Sequence, residues 1–136
     1  MTTKSMAYDN PTYTSRNSES MGEIGGAATT QYAKFVAFTA SLAFSAQLTV
    51  TTAGTSAANN TVAFSKISGT STTALATATL GTGAAGTTLN VPLSTSAGGV
   101  ALAQGDLLVA VTGADATGKA ALAYEASPAP GANVTA

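Results

Sequence analysis

Residues 103–125 constrain the fold of this chain more than any other stretch, because they contain a strand, a turn and a second strand. Two interleaved sets of side chains alternate over 107–112 and again over 119–125, and a period of two residues is typical of a β-strand with one buried face. The intervening sequence TGADATG is rich in turn formers. The stretch therefore predicts a β-hairpin, with these core residues: Leu107, Val109, Val111, Leu122 and Tyr124.

Similar short runs recur between Gly-rich turns along the rest of the chain. They predict strands at 42–52, 61–67, 72–80, 88–93 and 100–102. Residues 32–40 are apolar on both parities and fit a helix as well as a strand; β-branched and aromatic residues favour the strand. Many short strands at regular spacing are typical of an all-β sandwich or small barrel. We predict an antiparallel, jelly-roll-like β-sandwich with an extended N-terminal arm.

Composition excludes several classes of protein. Charged residues are 8% of the chain and the net charge is −1, with five basic residues scattered along it, so there is no basic patch that would bind nucleic acid. Cysteine is absent, which excludes disulfides and thiolate metal sites. The apolar stretch 35–50 is about 16 residues, short of the roughly 20 that a membrane-spanning helix needs. We expect neither a nucleic-acid partner nor a membrane.

Residues 1–29 hold five of the eleven charged side chains and show neither a period of 2 nor one of 3.6. Such a pattern is typical of a disordered tail, and also of an arm that becomes ordered against a partner. Residues 1–29 contain more aromatic and apolar side chains than a tail that only confers solubility requires. The candidate partner-binding residues are Tyr8, Pro11, Tyr13, Arg16, Met21 and Ile24. The predicted organisation is an arm at 1–29, a β-sandwich domain at 30–127 and a C-terminal tail at 128–136.

A glycine motif and two carboxylates are the candidates for a chemical site. Residues 81–86 match GxGxxG, but the sequence that follows cannot open the helix that a dinucleotide site needs, so we interpret the motif as a loop. Asp106 and Asp115 are candidate metal ligands, yet calcium takes six to eight oxygens and neither residue has an acidic neighbour. We interpret Asp115 as a turn residue and Asp106 as a polar residue at a strand start.

Catalysis has little support in the sequence. The chain has no histidine and no cysteine, and none of its Asp, Glu, Lys or Tyr residues form a pair placed for acid–base work. We expect no catalytic residues, no metal, no cofactor and no small-molecule substrate, and hence no enzyme.

The polar arm with Tyr8, Pro11 and Tyr13, followed by a Thr/Ala/Gly-rich body that ends in GDLLVAVTGADATGKAALAYE, resembles the decoration (cement) proteins of tailed-bacteriophage capsids. The resemblance implies a homotrimer on the outer capsid surface of the virion, bound to the major capsid protein that it stabilises. The alternative is a phage fibre or receptor-binding β module. The small side chains of the predicted loops at 53–60, 81–87 and 94–99 count against that alternative.

Overall fold

The described part of the chain consists of β-strands and their connections. The computed structural model describes residues 17–27, 29–94 and 99–128, and none of these forms a helix. Their nine strands are β1 (Asn17–Gly25), β2 (Tyr32–Val36), β3 (Ser41–Thr52), β4 (Thr61–Ser68), β5 (Ser71–Thr79), β6 (Thr88–Pro92), β7 (Val100–Leu102), β8 (Leu107–Thr112) and β9 (Lys119–Pro128). The all-β prediction is confirmed.

The strands form two antiparallel sheets. Sheet A has the order β1-β9-β3-β6, with β7 pairing to the start of β3, and sheet B has the order β2-β8-β4-β5. Among the described strands, β4 and β5 are joined by a tight turn at Gly69, whose φ of 61° lies in the left-handed region that favours glycine. Most other connections pass from one sheet to the other. The two sheets share one hydrophobic core, as in a β-sandwich.

The hairpin predicted at 103–125 is wrong. β8 pairs with β2 and β4 in sheet B, whereas β9 pairs with β1 and β3 in sheet A. The connection 113–118 is therefore a crossover between sheets. Alternation identified both strands correctly, but a period of two says nothing about which strand lies beside which.

The predicted inward face of β8 is also wrong. Leu108 and Ala110 belong to the core cluster, so Leu107, Val109 and Val111 lie on the other side of sheet B. Leu107 and Val111 are partly exposed there, whereas Val109 is buried as predicted, with 3% of its surface exposed. Both parities of this strand are apolar, and alternation cannot distinguish the faces when neither is polar. In β9 the prediction is confirmed, since Leu122 and Tyr124 are both buried.

Tyr124 holds the two sheets together at the centre of the core. Its ring centroid lies 5.7 Å from that of Phe35 on β2 and 6.1 Å from that of Phe64 on β4 in an edge-on arrangement, a separation favourable for aromatic pairs. Leu48 and Leu122 are fully buried beside it in sheet A. Two aromatic contacts of Tyr124 thus join β9 to sheet B across the core.

The second half of the predicted arm forms part of the sandwich. β1 pairs along β9, from Asn17 opposite Ala126 to Gly25 opposite Lys119, with a bulge at Met21. The bulge interrupts the period of two, which explains why the sequence shows no alternation here. The sandwich therefore begins at residue 17 and not at 30. At the other end β9 runs to Pro128, the first residue of the predicted tail.

The strand prediction for 32–40 is confirmed over Tyr32–Val36, and the helical alternative is wrong. Within β3 the alternation predicted from Leu42 holds for the buried residues Ala46, Leu48 and Val50. It changes phase at Phe44, where the pairing with β9 skips one residue and Ala43 becomes buried instead. A bulge of this kind leaves no sign in a stretch that is apolar on both sides of it.

Candidate functional site

Asp115 connects two crossover loops at one end of the sandwich. One carboxylate oxygen accepts hydrogen bonds from the backbone N–H of Thr55 and Ser56 at 2.9 and 2.8 Å, and the other from Thr117 and Gly118 at 2.9 and 2.8 Å. These bonds, that of Gly118 first, lower the pKa of Asp115 to about 2 against the opposing effect of desolvation. The predicted turn role is confirmed and extends to a second loop.

Asn60 holds the neighbouring connections together. Its side-chain amide donates to the carbonyl of Gly81 at 2.7 Å, and its own carbonyl accepts from the N–H of Leu80 and Gly81. A side chain at Gly54 or at Gly118 would collide with the Asn60 amide. The GxGxxG stretch that begins at Gly81 is therefore a loop with turns that connects β5 and β6, as the sequence predicts.

Asp106 is likewise used within the fold. Its carboxylate accepts the Ala103 N–H at 2.9 Å and lies 3.9 Å from the ammonium of Lys66. The Ala103 bond is the largest cause of a lowered Asp106 pKa, followed by the Ser68 side chain, and Lys66 adds a smaller effect. Across 17–27, 29–94 and 99–128, no group of three or more metal-ligating acidic side chains occurs. Both carboxylates therefore have structural roles.

The outer face of sheet A is polar. Pairing in register brings Gln47 beside Asn90 and places Thr49 beside Thr88, whose hydroxyls lie 3.1 Å apart. Thr51 donates to the Glu23 carboxylate across the same face. A shallow depression of about 290 Å³ includes Gln47 and Asn90. This is the polar outer face that a sheet in contact with water normally has.

The outer face of sheet B is apolar. Its rows across β2, β8 and β4 follow from the strand register, and they contain one charged residue, Lys34, and one serine, Ser65. The other side chains, which together we call the apolar face, are Tyr32, Val36, Ala63, Ile67, Leu107, Val109 and Val111. Tyr32 and Val36 are 64% and 57% exposed. Val109 in the middle row is 3% exposed, Ala63 is exposed, and Ile67, Leu107 and Val111 are partly exposed. An exposed apolar patch is typical of a contact site for another molecule.

A second exposed apolar region lies where the edges of the two sheets meet. A groove of about 300 Å³, the edge groove, runs between Glu19 on β1 and Phe35 and Val36 on β2, with Phe38 and Ser127 at its end. Phe38 is 85% exposed. Within the described strands nothing pairs with the outer edge of β1 or of β2. The Ser127 hydroxyl is buried and has no hydrogen-bond partner in the described residues.

The structure describes two of the six predicted partner-binding residues, Met21 and Ile24, and both lie in β1. Ile24 is 9% exposed and belongs to the core, and Met21 packs partly buried against it; their side chains serve the sandwich, because β1 lies in sheet A. The other four lie outside the described residues: Tyr8, Pro11, Tyr13 and Arg16. Their role in partner binding stays a prediction.

Sequence reasoning missed the apolar face and the edge groove, although a signal for the first is present. Strands β2 and β8 are apolar on both parities, and strands that are apolar on both sides are typical of sheets covered on both faces. In this structure one side of sheet B faces the core, and the other carries exposed and partly exposed apolar side chains around the buried Val109. The sequence gives no comparable sign that Phe38 is exposed, because Phe38 lies in a short apolar stretch just after the end of β2.

Comparison with family models, with curated proteins and with solved structures found no match to the chain. Within the described residues, no helix has the length and apolar character needed to cross a membrane.

Proposed function

We propose that the chain is a structural protein of the virion, a decoration or cement protein that binds the outer surface of a phage head and bridges subunits of the major capsid protein. The edge groove carries this proposal. An 85% exposed phenylalanine beside two open strand edges is suited to binding another protein, since extended segments add to such edges through main-chain hydrogen bonds and apolar anchors. Such a role adds contact area to the shell and requires no catalysis.

The strand order supports a jelly-roll-like fold, a type that recurs in viral capsid proteins. When the three-residue β7 is set aside, eight strands remain, four in each sheet. In each sheet a strand from the start of the chain lies beside a strand from its end: β1 beside β9 in sheet A, and β2 beside β8 in sheet B. A strand order of this kind is typical of two Greek keys in a β-sandwich.

The proposed arm now ends before β1 and comprises residues 1–16. It joins the sandwich at Asn17, which pairs with Ala126, and Ala126 lines the edge groove. The arm is therefore attached beside the groove, so that both can contact the same capsid neighbour. Tyr8, Pro11, Tyr13 and Arg16 remain its proposed contact residues, and the homotrimer stays a prediction of the resemblance.

Binding to empty phage heads assembled without this chain tests the proposal. We expect Phe38→Ser to weaken binding at least tenfold, because truncating an aromatic anchor at an interface typically costs about 2 kcal/mol or more. Removal of residues 2–15 should weaken it further and leaves β1 intact. The measurement is co-sedimentation over a range of protein concentrations, and Ala121→Ser on the polar face of sheet A is the matched control. Wild-type affinity in both variants, or no binding by the wild type, would contradict the proposal.

A receptor-binding module is the alternative function, favoured by the polar depression on sheet A. Gln47 and Asn90 offer amide groups of the kind that bind sugar hydroxyls. Tyr124, the aromatic residue at this depression, turns its ring into the core towards Phe35 and Phe64, so its ring is not placed to stack on a sugar bound there. Glycan binding by the isolated protein that is lost in Asn90→Ala would favour this alternative.

A further inference from the structure

The outer surface of sheet B comprises the apolar face, Lys34, Ser65 and the β5 residues in register with them. Its side chains are large at the β2 edge, which we call the high margin, and small at the β5 edge, the low margin. The strand register aligns three rows that run from β2 through β8 and β4 to β5. At the β2 margin the rows begin with Tyr32, Lys34 and Val36. At the β5 margin they end with smaller side chains, namely Thr77, Ala74 and Thr72. The surface therefore falls from large to small side chains across the sheet.

Two copies of this sloping surface fit against each other when they are related by one particular two-fold axis. If the axis runs along the strands at the middle of the face, β2 of one copy lies over β5 of the other, and each high margin meets a low one. The alternative axis, across the strands, would place β2 on β2 and leave both β5 margins without contact. Isologous contacts between identical subunits require this kind of self-complementarity.

Charge favours the same rotation. Lys34 is the charged residue of the three rows, and like charges in close contact across an interface are unfavourable. With the axis along the strands, Lys34 lies over Ala74 of the second copy. The two ammonium groups are then separated by about 14 Å, the width of three strand spacings. With the axis across the strands they would meet.

We infer that the apolar face binds a second copy of this chain, in a two-fold dimer that places β2 of each copy over β5 of the other. The face covers on the order of 400 Å² per copy, taken from four strands and three rows at ordinary sheet spacings. That is about half of a standard interface, so we expect a weak dimer that dissociates on dilution.

This inference goes beyond the proposed function and does not depend on it. The edge groove and the dimer contact share Val36 on β2, but Phe38 belongs to the groove alone and Ala74 to the dimer contact alone, so variants at these two positions measure head binding and dimer formation separately. A protein that dimerises without binding heads would contradict the proposed function alone, and one that binds heads as a monomer would contradict the dimer alone.

Chemical cross-linking tests the geometry of the dimer. The natural chain has no cysteine, so Lys34→Cys and Ala74→Cys each introduce a single thiol. We expect a short bismaleimide to join the two variants in a mixed sample, and to join neither variant to itself. Cross-linking of Lys34→Cys to itself, or no cross-link in the mixed sample, would overturn the inference. Circular dichroism confirms that both surface variants fold.

Sedimentation equilibrium at tens of micromolar provides a second measurement that does not depend on cross-linking. We expect the wild type to reach a monomer–dimer equilibrium, and Ala74→Arg to raise the dissociation constant at least tenfold because it places a second cation opposite Lys34. Ala121→Arg on the polar face of sheet A is the matched control and should dimerise like the wild type. A wild type that is monomeric or trimeric under these conditions would overturn the inference, as would equal effects of the two variants.

Discussion

Replacing Tyr124 by alanine is expected to lower the free energy of unfolding by about 4 kcal/mol, the largest loss from any single substitution that we predict. The residue is 1% exposed, and its ring joins sheet A to sheet B through Phe35 and Phe64. Alanine leaves a cavity between the sheets that close packing cannot refill without moving strands. Urea unfolding followed by circular dichroism measures the change.

Tyr124→Phe is the matched control for this substitution. It keeps the ring and removes the hydroxyl, which is buried without a hydrogen-bond partner in the described residues and whose pKa burial raises well above its usual range. Removing an unsatisfied polar group is expected to leave stability unchanged or to raise it by about 1 kcal/mol. A loss as large as that of the alanine variant would show that the hydroxyl, and not the ring, stabilises the fold.

Asp115→Ala is the second substitution with a large expected effect. It removes the acceptor for four backbone N–H groups in two loops, and donors left unsatisfied in a buried site are costly. We expect the midpoint of thermal unfolding to fall by about 10 °C or more. Differential scanning calorimetry measures this fall, and Glu19→Ala, which removes an exposed carboxylate, is the control. Equal midpoints for the two variants would contradict the role assigned to Asp115.

The same carboxylate makes stability depend on pH. The pKa of Asp115 is lowered to about 2 in the folded chain from an ordinary value of 3.8, so its contribution is fully present above pH 4 and is lost as the pH falls towards 2. Asp115→Asn is expected to flatten this part of the stability profile. An unchanged acid dependence in the asparagine variant would assign the effect to other groups.

Much of the fold can be predicted from the sequence because alternation and turn chemistry are local properties. Val62 and Phe64 point inward as their spacing predicts, and Pro92 ends the edge strand β6, where its missing N–H does no harm. The loop role of Asp115 also follows from local turn chemistry, although its bonds to Thr55 and Ser56 come from a residue pair some 60 positions away.

What could not be predicted depends on contacts distant in sequence. Whether β8 pairs with β9 or crosses to the other sheet is decided by the other strands that compete for each edge. Because both sets of alternating residues in β8 are apolar, the sequence does not determine which side of the strand faces the core. For the same reason the sequence did not predict the apolar face. Strand β1 was not predicted because the bulge at Met21 shifts the alternation on which strand prediction depends.

The two proposals rest on two different surfaces: the proposed function rests on the edge groove, and the dimer rests on the apolar face. The groove offers open strand edges and Phe38 to a partner of different sequence, whereas the apolar face is complementary to itself. A two-fold dimer in solution departs from the homotrimer that the resemblance to phage decoration proteins implies. Binding to a shell can change the symmetry of the assembly, because contacts made there add to those between copies.

Electron cryomicroscopy of empty heads incubated with the full chain tests the central claim most directly. We predict additional density on the outer surface of the shell, into which the sandwich fits with Phe38 and the edge groove towards the capsid protein and the polar face of sheet A towards solvent. A shell without added density, or a sandwich bound with Phe38 exposed to solvent, would contradict the account.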